Sequence, residues 1–233
     1  MFEFGVGRAL EEVLVDLEES KSEIELSREL YALVAKLVEV DTKFKMVAQK
    51  FVTPMVVFTV PHVPWDLKPI AVPRALAPKL AELLNKKLRA RILERSDAPY
   101  SNCWFTVRKK NGSLRFIQDM QPPNRATIRN VGVGPLVDEF AEEFLSRAIY
   151  SMGDLFLGYD QFQLAKSNRD ITTMRTPLGL LRMCTLPHGA TNSVAHMQNA
   201  MSKILEPFIP RVTRPFIDDI PSRGVSFLKG MRL

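Results

Sequence analysis

The chain has 233 residues, of which 46% are hydrophobic, 25% charged and 9% aromatic, the balance of an ordinary globular protein. Eleven glycines and sixteen prolines scattered without a period exclude a collagen-like or low-complexity chain. Met46 to Val60 is broken by Gln49, Lys50 and Pro54, and MFEFGVGRALEEV lacks the basic flank and apolar core of a signal peptide. The expectation is therefore a cytoplasmic or nuclear protein with no membrane partner.

Cys103 and Cys184 form no CxxC pair, and His62, His188 and His196 form no zinc pattern. Reduced thiols follow, and a zinc enzyme does not. The net charge of +6 is unevenly spread. Residues 1–40 carry 10 acidic and 4 basic side chains, whereas Lys68 to Arg125 carries 13 basic against 4 acidic. A one-signed basic field favours a polyanion, because each neutralised phosphate releases condensed counterions; a solvated face would look the same by charge alone.

In chain order, residues 8–40 read as an acidic helix with one apolar stripe through Leu10, Val13, Leu14 and Leu17, then Leu30, Leu33, Val34 and Leu37. Residues 52–75 hold Pro54, Pro61, Pro64, Pro69 and Pro73 and no glycine, which predicts a stiff extended connector. Helical spacing returns over 74–94, with Leu76, Leu80, Leu83, Leu84, Leu88 and Ile92 inward and Pro78 in the first turn. Cys103 to Arg108 and Ser113 to Gln118 read as a hairpin closed by Asn111-Gly112.

Beyond it, AIYSMGD and YDQFQL read as strands on either side of a glycine-bearing corner, and ITTMRT and LGLLRMCTL as two more. Residues 192–208 predict a helix capped by Thr191 or Asn192, with Val194, Met197, Met201, Ile204 and Leu205 inward. Val212 to Val225 predicts a hairpin with Asp218-Asp219 at or near its tip. Helices and strands without a βαβ rhythm place the chain in the α+β class.

Alone, Asp218-Asp219 is ordinary turn chemistry, and Asp154 an ordinary strand-end acid. Three carboxylates on adjacent strand ends would repel unless a cation lay between them. Oxygen-only ligands of this kind suit Mg²⁺, and two such ions would stabilise the attacking and leaving oxygens of an in-line phosphoryl transfer.

VRKKNGSLRFIQDMQPPNRAT, SMGDLFLGYDQFQL, LPHGATNSVAHMQNAM and FIDDI follow one another in the chain. Together they resemble the reverse transcriptase of gypsy-type LTR retrotransposons and, more distantly, the retroviral enzyme, over Lys68 to Gly224. The resemblance implies a fingers hairpin plus an incomplete polymerase palm, a ferredoxin-like antiparallel sheet with helices, preceded by an N-terminal helix. The domains would be an acidic helical segment over 1–51, the proline-rich connector over 52–75, and reverse transcriptase fingers and partial palm over 76–233, with thumb and RNase H absent.

The implied activity is that of an RNA-directed DNA polymerase, the nucleotidyltransferase of a Pol polyprotein. It would use two Mg²⁺ ions, or Mn²⁺ in their place, a primed RNA or DNA template, and dNTPs. By the same resemblance Asp154, Asp218 and Asp219 are the catalytic, metal-holding carboxylates, and Leu155 offers the metal its backbone carbonyl. Lys109 and Arg115 grip the triphosphate, a fitting pairing of point charge and planar fork. Tyr159 lies under the sugar and excludes a ribose 2′-hydroxyl, and His188 and Gly189 meet the nucleotide. The chain departs from the family pattern at His188, where relatives carry Gln or Phe, at Phe216 in place of Tyr, and at Phe156 and Leu157, without losing a carboxylate. A second reading is a remnant that binds nucleic acid or a partner without synthesis.

Overall fold

Apart from Glu25 and Arg28, the computed structural model describes residues 52–110, 112–130, 137–145, 150–155 and 157–223. The expected N-terminal helix over 8–40 and Asn111 of the expected turn lie outside the described residues. The described elements are a mixture of short helices and small antiparallel sheets, as the α+β class requires. They fall into two compact units.

The larger unit comprises the described residues of 52–130 and 157–197. Its first helix, α1 (Ala77–Arg89), follows a short 3₁₀ turn at Arg74–Leu76 and carries Pro78 in its first turn. Leu80 and Leu84 of α1 are fully buried. They pack with Ile92, Leu93, Trp104, Met174, Leu181 and Met183 into one apolar cluster. The helix stops earlier than its apolar spacing predicts. Arg91 adopts a left-handed φ of 54°, and the N–H of Ile92 reaches back to the carbonyl of Lys87 at 3.0 Å, a helix-ending arrangement that usually employs glycine. Ile92 therefore joins the core from outside the helix, just ahead of β1 (Leu93–Arg95).

Strands β2 (Trp104–Arg108) and β3 (Leu114–Gln118) form the predicted hairpin, with Trp104 opposite Gln118 and Arg108 opposite Leu114. Gly112 has a φ of 78°, the conformation for which a Gly at the turn is suited. The inner end of the hairpin is bolted to the unit: Trp104 Nε1 donates to the carbonyl of Arg175 at 2.7 Å, and Gln118 Nε2 donates to that of Thr172. Helix α2 (Gln121–Ala126) follows directly. The proline-rich stretch is extended, and it is laid against the same unit by bridges from Met55 to Leu164, Thr59 to Thr127 and Asp66 to Ser101.

Helix α3 (Val137–Phe144) and strand β4 (Tyr150–Asp154) belong to the second unit and are taken up below. Back in the larger unit, the segment YDQFQL is not a strand from its first residue. Leu157 takes a left-handed φ of 52° and Gly158–Gln161 forms a single helical turn, α4. Burial of Asp160, paired with Lys87 Nζ at 3.2 Å, holds that turn in place. Extended pairing resumes only at Gln163 and Leu164. Strands β5 (Met174–Thr176) and β6 (Gly179–Met183) then complete a three-stranded sheet in the order β1-β6-β5.

An ion cluster ties this sheet to the chain around it. Glu94 of β1 accepts from Arg169 at 3.0 Å and from Arg182 at 2.7 Å, and Arg182 also pairs with Asp170. Burial opposes ionisation of Glu94, but hydrogen bonds from Cys184 and Arg182 and the charge of Arg169 outweigh it and hold the carboxyl below its ordinary 4.5. The same burial, with the Glu94 carboxylate beside it, pushes the Cys184 thiol up to about 12, so this thiol stays protonated and inert.

The second unit holds the described residues of 137–155 and 198–223. Helix α5 (Ser193–Ile204) begins in the larger unit and ends in this one. Met197, Met201, Ile204 and Leu205 are buried as expected, whereas Val194, expected inward, is 47% exposed, and Ser193 and Ala200 are buried as well. Nor does Asn192 spend its side chain as a helix cap: its Oδ1 accepts from the N–H of Asn130 and its Nδ2 donates to the carbonyl of Ile128. Strand β7 (Asp219–Arg223) pairs antiparallel with β4. The buried Arg223 guanidinium joins this unit internally, donating to the carbonyls of Glu143, Pro210 and Arg211 beneath the Phe144 ring.

Because Glu94 has a lowered pKa in the folded state, its contribution to stability is full above about pH 4.5 and is lost as pH falls through the folded value. Glu94→Gln should cost about 2 kcal/mol at pH 7, less than a fully buried pair because a third of the side chain meets solvent. Urea denaturation should show the gap between the two proteins closing as the pH is taken below 4.5.

Candidate active site

The pairing of β4 with β7 sets Asp154 directly opposite Asp219. Residues so opposed stand about 5 Å apart in an antiparallel ladder. Next along, the N–H of Leu155 donates to the carbonyl of Asp218 at 3.2 Å. The backbone thus brings together Asp154, Leu155, Asp218 and Asp219, which no sequence spacing could do.

The acidic pair occupies the tight turn of the predicted hairpin. Phe216 and Asp219 exchange N–H to carbonyl bonds of 2.9 and 3.0 Å, leaving Ile217 and Asp218 as the two turn residues. Ile217 has a φ of 60°, an outlying conformation for a β-branched residue. Behind the turn, Thr213 pairs with Ser222 and its Oγ1 donates to the carbonyl of Pro221 at 2.6 Å. Phe216 packs edge-on against Phe140 at 5.6 Å between centroids. An apolar ring suits that contact.

Asp218 and Asp219 are half-exposed, above buried Ile220. No described cation pairs with the Asp218 carboxylate, whereas Glu94, Glu143 and Asp160 each hold an Arg or Lys. Among the described side chains, no group of three or more His, Cys, Asp or Glu gathers around one point. The turn itself carries two consecutive carboxylates, Asp218 and Asp219, oxygen donors of the kind that suit a hard divalent cation rather than zinc.

The remaining expected residues lie in the larger unit. Lys109 and Arg115 are exposed near the free end of the β2–β3 hairpin, and Arg115 shares a face with Phe105, Val107 and Ile117. Tyr159, on α4, lies against His188 with ring centroids 4.4 Å apart. His188 is exposed. Gly189 has a φ of 85° with open space where a Cβ would stand, so the loop presents bare backbone there.

That loop is held by residues that sequence reasoning passed over. Asn124 Nδ2 donates to the carbonyl of Gly189 and its Oδ1 accepts from the N–H of Thr191, both at 2.8 Å. Ser193 Oγ donates to the carbonyl of Pro187 at 2.9 Å. A cleft beside the loop is lined by Ile70, Phe105, Ile117, Gln118, Asn124 and Gly189. In the other unit Gln198, also passed over, bonds to the acidic turn. The available signal was a carboxamide within the apolar stripe of α5, since a buried amide needs partners.

No protein-family model matches the chain. The Transposon Tf2-3, Tf2-4 and Tf2-7 polyproteins of Schizosaccharomyces pombe are each 26% identical to it over 122 residues, 52% of this chain and 9% of theirs. A solved structure of the foamy viral protease-reverse transcriptase dRH in complex with double-stranded DNA superposes with a TM-score of 0.61 over 73% of this chain and 29% of that one, at 18% identity. The chain resembles a retrotransposon reverse transcriptase. The likeness to the foamy viral structure is one of fold, and the chain spans less than a tenth of the length of the curated polyproteins that it matches. Among the described residues, no helix is long and apolar enough to cross a membrane.

Asn124→Ala would leave the Thr191 N–H and the Gly189 carbonyl without their side-chain partner. A loss of about 2 kcal/mol is expected for two such bonds, measurable by urea denaturation, together with faster amide exchange at Thr191.

Proposed function

We propose that this chain is the fingers and partial palm of an RNA-directed DNA polymerase, and that it adds deoxynucleotides to a primer 3′-hydroxyl on an RNA or DNA template. The observation that carries this reading is the register of β4 and β7, which opposes Asp154 to Asp219 and ties Leu155 to Asp218. Asp154, Asp218 and Asp219, with the carbonyl of Leu155, would hold two Mg²⁺ ions, or Mn²⁺ in their place. Such ions, when bound, supply Lewis-acid stabilisation of the attacking and leaving oxygens.

The chain's own residues have these roles in the reading. The carboxylates place negative charge where a dNTP's counter-ions must be retained. Lys109 and Arg115 meet the triphosphate, Lys as a point charge and Arg as a two-pronged donor. Tyr159, backed by His188, presents a ring under the sugar, and a ribose 2′-hydroxyl would collide with it. Gly189 lets the nucleotide approach the backbone, and the cleft beside it suits a template strand. The β2–β3 hairpin, with Arg108, Lys109, Lys110 and Arg115, supplies positive charge for phosphates.

The test is Mg²⁺-dependent extension of a DNA primer on an RNA template, with Asp218→Asn alongside. Extension by the unmodified chain that falls to background in the variant is the expected result. Salt-dependent nucleic-acid binding, unchanged by Asp218→Asn and with no synthesis, would instead select the non-catalytic reading. Tyr159→Ala should lower discrimination against ribonucleotides by about tenfold or more. Lys109→Ala should reduce the slope of log affinity against log salt by about 1, as expected for one lost phosphate contact.

A further inference from the structure

Gln198 stands on α5 among Met197, Ala200, Met201 and Ile204 and is itself 7% exposed. A carboxamide in such surroundings must find partners for both of its ends. It finds them on the acidic turn: Oε1 accepts from the N–H of Ile217 at 2.7 Å, and Nε2 donates to the carbonyl of Pro215 at 2.9 Å. Among the described residues, the turn's own backbone bonds join Phe216 and Asp219. The Ile217 N–H is therefore held by Gln198 at the one described residue of the hairpin that takes a left-handed φ.

We infer that Gln198 is a positioning residue for the acidic turn, its carboxamide holding Ile217 in the strained conformation that sets Asp218 and Asp219 beside the end of β4. The inference rests on the reading of those carboxylates as the reaction's acids. Only a group with a donor and an acceptor on one planar head serves both Pro215 and Ile217. Methionine has similar length and neither function. Glutamate, when ionised, keeps the acceptor and sets a carboxylate against the Pro215 carbonyl.

The first measurement is amide hydrogen exchange in the full chain. In the unmodified protein the Ile217 amide should be protected although it lies in a half-exposed turn. In Gln198→Met it should exchange about tenfold faster or more, while Leu205, within the same helical run, keeps its protection and shows the helix intact. An unprotected Ile217 amide in the unmodified chain, or equal protection in both proteins, would overturn the inference.

The second measurement is primer extension. Gln198→Met should lower the maximal rate and raise the Mg²⁺ concentration for half-maximal rate, with KM for dNTP unchanged because Lys109, Arg115 and Tyr159 are untouched. Adding Ile217→Gly should restore part of the loss, since glycine adopts the left-handed turn without strain. Unaltered rate and Mg²⁺ requirement in Gln198→Met would count against the inference. If the unmodified chain synthesises nothing, the polymerase reading fails, and the exchange comparison still decides whether Gln198 holds the turn.

Discussion

Ladder hydrogen bonds between β4 and β7 are the constraint on which the candidate chemistry depends. They oppose Asp154 to Asp219 and leave Asp218 at the apex of a two-residue turn. A slip of one residue would turn Asp154 to the other face of the strand, so register is as necessary to the site as the acids themselves. Several features hold it. Ile220 is buried, Thr213 bonds across to Pro221, and Arg223 fastens the far end of β7 to three backbone carbonyls. The turn strained at Ile217 is held by the bonds that Gln198 makes to Pro215 and Ile217 and by that of Thr213 to Pro221.

The larger unit shows the same economy of means in another form. Its apolar cluster anchors α1 against the three-stranded sheet and grips the root of the hairpin through Trp104. The outer face of that hairpin, with Phe105, Val107 and Arg115, remains exposed. Charges that serve the fold are paired and partly buried, as with Glu94, Arg169 and Arg182. Lys109 and Arg115, to which a phosphate role is assigned, stand in solvent. Burial thus separates the ionic groups that hold the unit together from those available to a polyanion.

Much of the local structure was legible in advance. The β2–β3 hairpin follows from two β-rich runs around a glycine, and the acidic turn from paired aspartates between apolar residues. Local rules failed where tertiary partners overrode them. Apolar spacing carried α1 on to Ile92, but the core needed that side chain from a strand approach, and Arg91 accepted a left-handed conformation to provide it. YDQFQL reads as a strand by its alternation, but the pairing of buried Asp160 with Lys87 accompanies a helical turn over its first half. Val194 looked like a core residue by spacing, yet Ser193 is buried in its stead because its hydroxyl reaches Pro187.

The sequence by itself determined the chemistry on offer: acids without cysteine or histidine nearby, a basic hairpin, an aromatic after the corner, and the four blocks that resemble a reverse transcriptase. These are properties of residue type and local spacing, which a chain carries whether folded or not. Only the tertiary structure decided which groups meet. Asp154 reaches Asp219 through strand pairing, Tyr159 reaches His188 by ring packing, and Gln198 reaches Ile217 because a buried carboxamide must satisfy both its ends. Contacts between residues distant in sequence are set by the packing of the whole unit, and no local pattern encodes them.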